Sequence, residues 1–95
     1  MMKMFVIVYS WSCDDYVMEA ITGGGIKAYT KWGRVLGKGT ETGPKLTYSQ
    51  GGNDVLSIVV DDTDAKKLKE IVVDLRKEYP LAGIRCFILP VEEMI

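Results

Sequence analysis

Gly37-Lys38-Gly39-Thr40-Glu41-Thr42-Gly43-Pro44-Lys45-Leu46-Thr47-Tyr48-Ser49-Gln50-Gly51-Gly52 is a polar run near the middle of the chain. It holds five of the ten glycines, two lysines and few apolar side chains. Ordering a loop of this length costs backbone entropy and gains little burial, so such loops either bind something or are disordered, and the reading here is that the domain presents the 37–52 segment for binding. Both of its flanks read as strand. Before it, Ile26 to Leu36 carries Tyr29, Trp32 and Val35, and Gly33 marks a candidate bulge. After it, Asn53-Asp54 leads into the β-branched run Val55-Leu56-Ser57-Ile58-Val59-Val60.

Further out, each flank repeats one pattern. Met4-Phe5-Val6-Ile7-Val8-Tyr9 reads as a strand buried on both faces. Ser12 or Cys13 then precedes Asp14-Asp15, acids that suit a helix N-terminus, and Val17, Met18 and Ile21 recur at helical spacing. Gly23-Gly24-Gly25 closes that helix. In the second half, Asp61-Asp62-Thr63-Asp64 supplies caps, and Ala65, Leu68, Val72, Leu75 and Tyr79 form one apolar stripe. Lys66, Lys67, Lys69, Glu70, Asp74, Arg76 and Lys77 fill the solvated side of that helix, which Pro80 stops. Ile84 to Leu89 follows as the last strand, ended by Pro90. The order β-α-β, loop, β-α-β predicts an α+β, ferredoxin-like βαββαβ sandwich: one domain over 1–95, two helices on one face of a four-stranded antiparallel sheet.

Composition narrows the functional classes. With 12 basic against 13 acidic residues the formal net charge is -1, which argues against nonspecific nucleic-acid binding. The longest apolar run, Met4 to Tyr9, is far short of the ~20 residues a membrane span needs. No membrane insertion is expected, and the cytoplasm is the expected compartment. Cys13 and Cys86 do not make a disulfide framework and are expected to be reduced.

The strands carry an expectation about assembly. Phe5, Ile7 and Tyr9 oppose Met4, Val6 and Val8; Leu56, Ile58 and Val60 oppose Val55 and Val59; Phe87 and Leu89 oppose Ile84, Cys86 and Ile88. Two helices cover one face, and an apolar second face left in water would exceed the few hundred Å² usual for a monomer. Other copies of the chain are the expected cover. The alternative is a half-wet face with Tyr9, Ser57 and Arg85 as its solvated positions.

The chemistry in the sequence favours binding over catalysis. Gly37-Lys38-Gly39-Thr40 can present backbone N–H groups and one ammonium to a small anion, the alternative being that its glycines only make a flexible hairpin. It is no P-loop: Gly39 stands where the hydroxyl residue is required, and no helix follows. Arg34, Lys38 and Arg85 are the cations expected nearest such a ligand, with Gly37, Gly39 and Thr40 as backbone partners. Cys13, Asp14 and Asp15 are better explained by helix capping than by a metal. The chain has no histidine, so Ser-His and Cys-His nucleophiles are excluded and no enzymatic activity is expected.

Two stretches carry a family resemblance. Gly25-Ile26-Lys27-Ala28, running through Gly33 to Lys38-Gly39, resembles the second strand of the P-II nitrogen-regulatory signalling proteins entering their T-loop. Gly83 to Glu93 resembles the last strand of that family. The resemblance implies a homotrimer with its sheets facing a common axis. It implies clefts between subunits for small anionic ligands, an adenine nucleotide first among them and 2-oxoglutarate in some members. It also implies a loop that docks on a target protein, here through Gly43, Lys45 and Tyr48. Three features depart from the family pattern and suggest a reduced form. Only Pro80-Leu81-Ala82-Gly83 joins the second helix to the last strand, where the family has a glycine- and lysine-containing phosphate loop. The paired C-terminal arginines are not in the sequence, and Gly37 replaces the glutamine before Lys-Gly. A structural or metal-associated trimer like the CutA proteins shares the architecture and is the alternative reading.

Overall fold

The computed structural model describes residues 1–37 and 52–95. The elements are β1 (Lys3–Ser10), a 3-10 turn (Trp11–Cys13), α1 (Asp14–Gly23), β2 (Thr30–Val35), β3 (Asn53–Val60), α2 (Asp62–Glu78) and β4 (Arg85–Pro90). The four strands form one sheet in the order β2-β3-β1-β4, and all three pairings are antiparallel. Each helix returns the chain so that the strand after it runs parallel to the strand before it, one place removed. β3 fills the slot between β1 and β2, and β1 fills the slot between β3 and β4. This is the ferredoxin-like split βαβ sandwich.

The core lies between the sheet and the helices. Phe5, Ile7 and Tyr9 of β1 and Leu56, Ile58 and Val60 of β3 are buried against Val17 and Ile21 of α1 and Ala65, Leu68, Val72 and Leu75 of α2. The α2 stripe works as the periodicity predicts. Asp61 caps the helix, its side chain accepting the Asp64 backbone N–H at 2.8 Å.

Element bounds differ from the sequence reading for local reasons. β2 begins at Thr30 rather than Ile26, because the Ile26 N–H donates to the Ile21 carbonyl at 3.3 Å and the Ile26 side chain enters the core. Leu36 lies past the end of β2. The expected bulge at Gly33 is present as a register shift between Trp32 and Val35. Pro90 is the last residue of β4, tolerated there because β4 is an edge strand.

Among the described residues no element covers the second face of the sheet. Cross-strand partners share a face, and register places Trp32, Val55, Val8 and Arg85 in one row. The next row is Thr30, Ser57, Val6 and Phe87, and the third is Val59, Met4 and Leu89. Trp32 is 50% exposed, Phe87 57% and Leu89 44%. Tyr9 is not a wet position: it is fully buried on the helix side. Ser57 and Arg85 do belong to the open face.

Truncating the fully buried Leu68 to Ala leaves a cavity in the core and should cost about 2–5 kcal/mol in urea unfolding. Val73→Ala, on the solvated side of the same helix, should change stability by about 0.5 kcal/mol or less.

Candidate functional site

The root of the 37–52 segment lies where the C-terminal ends of β1 and β2 meet the N-terminal ends of β3 and β4. Polar side chains concentrate here at the edge of an otherwise apolar core. Asp54, only 5% exposed, accepts the Arg34 backbone N–H on Oδ1 at 2.9 Å, and its Oδ2 lies 3.8 Å from Lys31 Nζ. Asp14, the first residue of α1, accepts the Tyr9 hydroxyl at 2.6 Å and Lys31 Nζ at 2.5 Å. Tyr9 and Asp54 are register partners, so the network crosses from α1 through β1 and β3 to β2.

The electrostatics follow from this packing. Burial, reinforced by the Asp14 carboxylate, pushes the Tyr9 hydroxyl far above its usual range, so it stays a hydrogen-bond donor. Burial works to raise the Asp14 carboxyl, but the hydrogen bonds from Lys31 and Tyr9 outweigh it and hold the group below its usual value. Lys31 is raised, chiefly by its hydrogen bond to Asp14, against a smaller opposing effect of burial. On β4, burial pushes the Cys86 thiol up to about 11, keeping it protonated at neutral pH. Cys13 precedes α1 but its side chain makes no capping bond.

Arg34 takes a conformation that side chains rarely adopt. Its φ is +52°, the one positive value at a non-glycine among the described residues. The left-handed region costs an L-residue about 1–2 kcal/mol. Its guanidinium carbon lies 3.9 Å from the centroid of the Trp11 ring, a stacking worth about 0.5–1 kcal/mol at an exposed site. Trp11 is itself held by its backbone N–H, which donates to the Gly52 carbonyl at 3.2 Å. Gly52 has φ +89°, and a Cβ there would lie 3.2 Å from the Val35 carbonyl, so glycine is required where the two roots approach. Gly37 packs against Asn53, where a Cβ would lie 3.3 Å from Nδ2.

Of the residues expected at the site, Arg34 and Gly37 stand at this root. Arg85 does not join them. It lies on β4, three strand spacings from β2, about 14 Å at the usual ~4.8 Å spacing. Its Nη1 donates to the Ile84 carbonyl at 3.3 Å. Lys38, Gly39, Thr40, Gly43, Lys45 and Tyr48 lie outside the described residues. Sequence reasoning missed Tyr9, Trp11, Lys31 and Asp54 as members of the site, and read Asp14 only as a helix-terminal acid. The one available signal was an aspartate leading directly into a buried strand. Among the described residues, no group of three or more Cys, Asp or Glu side chains is arranged to hold a metal ion. No helix among them is long and apolar enough to cross a membrane.

The molecule is thus an α+β sandwich whose long inter-strand segment springs from a polar, hydrogen-bonded root. The model of the family described as nitrogen regulatory protein P-II matches residues 2–95, and the chain belongs to that family. Among solved structures it is similar to CPII, a nitrogen regulatory PII-like protein from Thiomonas intermedia bound to ADP, AMP and bicarbonate. That pair is 14% identical, with 93% of this chain and 89% of CPII covered at TM-score 0.67. CPII bound to ADP, AMP and acetate gives 13% identity, 99% and 89% coverage, and TM-score 0.73. A PII-like signalling protein from Thermus thermophilus is 22% identical, with 92% and 83% covered at TM-score 0.65. At these identities the likeness is one of fold. Among curated proteins none matches.

The network has a pH signature. Because the folded Asp14 carboxyl binds its proton less tightly than the ordinary group at 3.8, its stabilisation is present above that value and lost as pH falls through the lower folded value. Asp14→Asn should therefore flatten the acid limb of the stability profile below pH 3.8, measured by chemical denaturation at stepped pH. Tyr9→Phe should cost about 1.5–3 kcal/mol at neutral pH, the range for a hydrogen bond to a charged group.

Proposed function

We propose that this chain is a P-II-like regulatory module acting as a homotrimer in the cytoplasm. It senses a small anionic ligand, with an adenine nucleotide as the first candidate, in clefts between copies. It docks a target protein through the 37–52 segment, with Gly43, Lys45 and Tyr48 as contact residues. The observation that carries this reading is the open sheet face, where Met4, Val6, Val8, Val55, Val59, Phe87 and Leu89 form one apolar surface with no covering element among the described residues. A second copy is the simplest cover for it.

The position of the cations supports the same arrangement. Arg34 and Arg85 stand on opposite edge strands, so one ligand can meet both only where the β2 edge of one copy approaches the β4 edge of another. Gly37, Lys38, Gly39 and Thr40 would line the same cleft from the β2 side. Family membership supports a regulatory rather than catalytic role. The PII-like relatives holding ADP, AMP and bicarbonate or acetate make these the first ligands to try.

Light scattering on dilute protein should report three times the chain mass, and Phe87→Asp, which buries a charge in the proposed interface, should reduce it to one. Thermal-shift titration with ATP, ADP, AMP, 2-oxoglutarate and bicarbonate should raise the Tm of the wild type with at least one of them. A trimer that responds to none, yet binds a divalent metal tightly, would favour the CutA-like reading. A folded particle of one-chain mass would remove the shared cleft.

A further inference from the structure

The helix layer carries an aromatic pair on its surface. Tyr16, in the first turn of α1, stacks on Tyr79, just past the end of α2, with ring centroids 4.8 Å apart and an interplanar angle of 23°. Tyr16 is 51% exposed, so the pair is not part of the core. The Ala82 N–H closes a turn onto the Tyr79 carbonyl at 3.1 Å, and Leu81 within that turn is 62% exposed. The patch lies on the helices, so copies that cover the other face of the sheet would leave it in water.

Its charge has one sign. α1 contains three acids and neither Lys nor Arg. Asp14 is engaged by Tyr9 and Lys31, whereas Glu19 lies three residues after Tyr16 and borders its ring on the helix surface. Glu78 is the last residue of α2, where an acid opposes the helix dipole and weakens the fold. Burial first, then the Glu78 carboxylate and more weakly Glu19, holds the Tyr79 hydroxyl above its usual value, so both acids lie close to this ring. Among the described residues no cation lies within ion-pairing distance of either acid. Exposed rings beside two such carboxylates match arginine, whose flat guanidinium stacks on an aromatic face while its N–H edge takes carboxylate oxygens. We infer that Tyr16, Tyr79 and Leu81, with Glu19 and Glu78, form a docking surface for an arginine-bearing basic segment of a partner protein, separate from the 37–52 segment. Anionic lipid and nucleic acid are repelled by the same carboxylates. The inference needs neither the trimer nor the small anionic ligand.

The test is NMR mapping of backbone amide shifts in the full chain, titrated with a blocked oligo-arginine peptide and, separately, with an oligo-lysine peptide of equal length. The arginine peptide should move the amides around residues 16–19 and 78–81. It should bind about tenfold more tightly than the lysine peptide, because an ammonium has neither the flat face nor the fork. The double variant Glu19→Gln, Glu78→Gln should bind the arginine peptide about tenfold more weakly, yet melt at or above the wild-type temperature because an acid has gone from the end of α2. A tyrosine pair that only staples the two helices would leave the affinity of this variant unchanged, and that result overturns the inference. Equal affinity for the two peptides, shifts centred on Glu92 and Glu93 instead, or no binding at low ionic strength each overturns it as well.

Discussion

A four-stranded sheet has two faces, and the two helices among the described residues both pack on one of them. That side holds the aromatic and aliphatic core from Phe5 to Leu75 and accounts for the stability of a single copy. The other side is nearly as apolar, carried by Met4, Val6, Val8, Val55, Val59, Phe87 and Leu89. Among the described residues no third layer covers it. Everything proposed about assembly and shared clefts descends from that imbalance.

The polar network at the sheet end answers a different constraint. Two strand ends must be brought together so that a sixteen-residue segment can leave and return between them, and their backbone groups must stay satisfied. Asp54 does this from within the core edge by accepting the Arg34 N–H, while Trp11 is tied to Gly52 and Tyr9 to Asp14. The helix α1, the turn before it and three strands therefore share one hydrogen-bonded knot. A change in any of its members would be felt at the root of the segment rather than spread through the core.

The sandwich was legible because each element announces itself locally. Apolar runs of β-branched residues, a stripe at steps of three and four, glycines at one helix end and a proline at the other need no distant partner to be recognised. The apolar second face was legible for the same reason, since alternation along a strand is a local property. The polar root was not. Tyr9 and Asp54 are 45 positions apart, and only strand register makes them neighbours. Asp14 looked like a dipole-matching acid because nothing nearby in sequence revealed that Tyr9 and Lys31 would claim its two oxygens.

By itself, then, the amino-acid order determined the elements, their order, the family resemblance and the excess of apolar side chains over what two helices can cover. Only the tertiary structure decided that Arg34 and Arg85 stand on opposite edges, and that Arg34 is held in a left-handed conformation between a buried carboxylate and an indole. The reason is physical. Propensity and periodicity act over a few residues, whereas register and the bulge at Gly33 depend on how whole strands align, and a shift of one residue would turn every side chain to the other face.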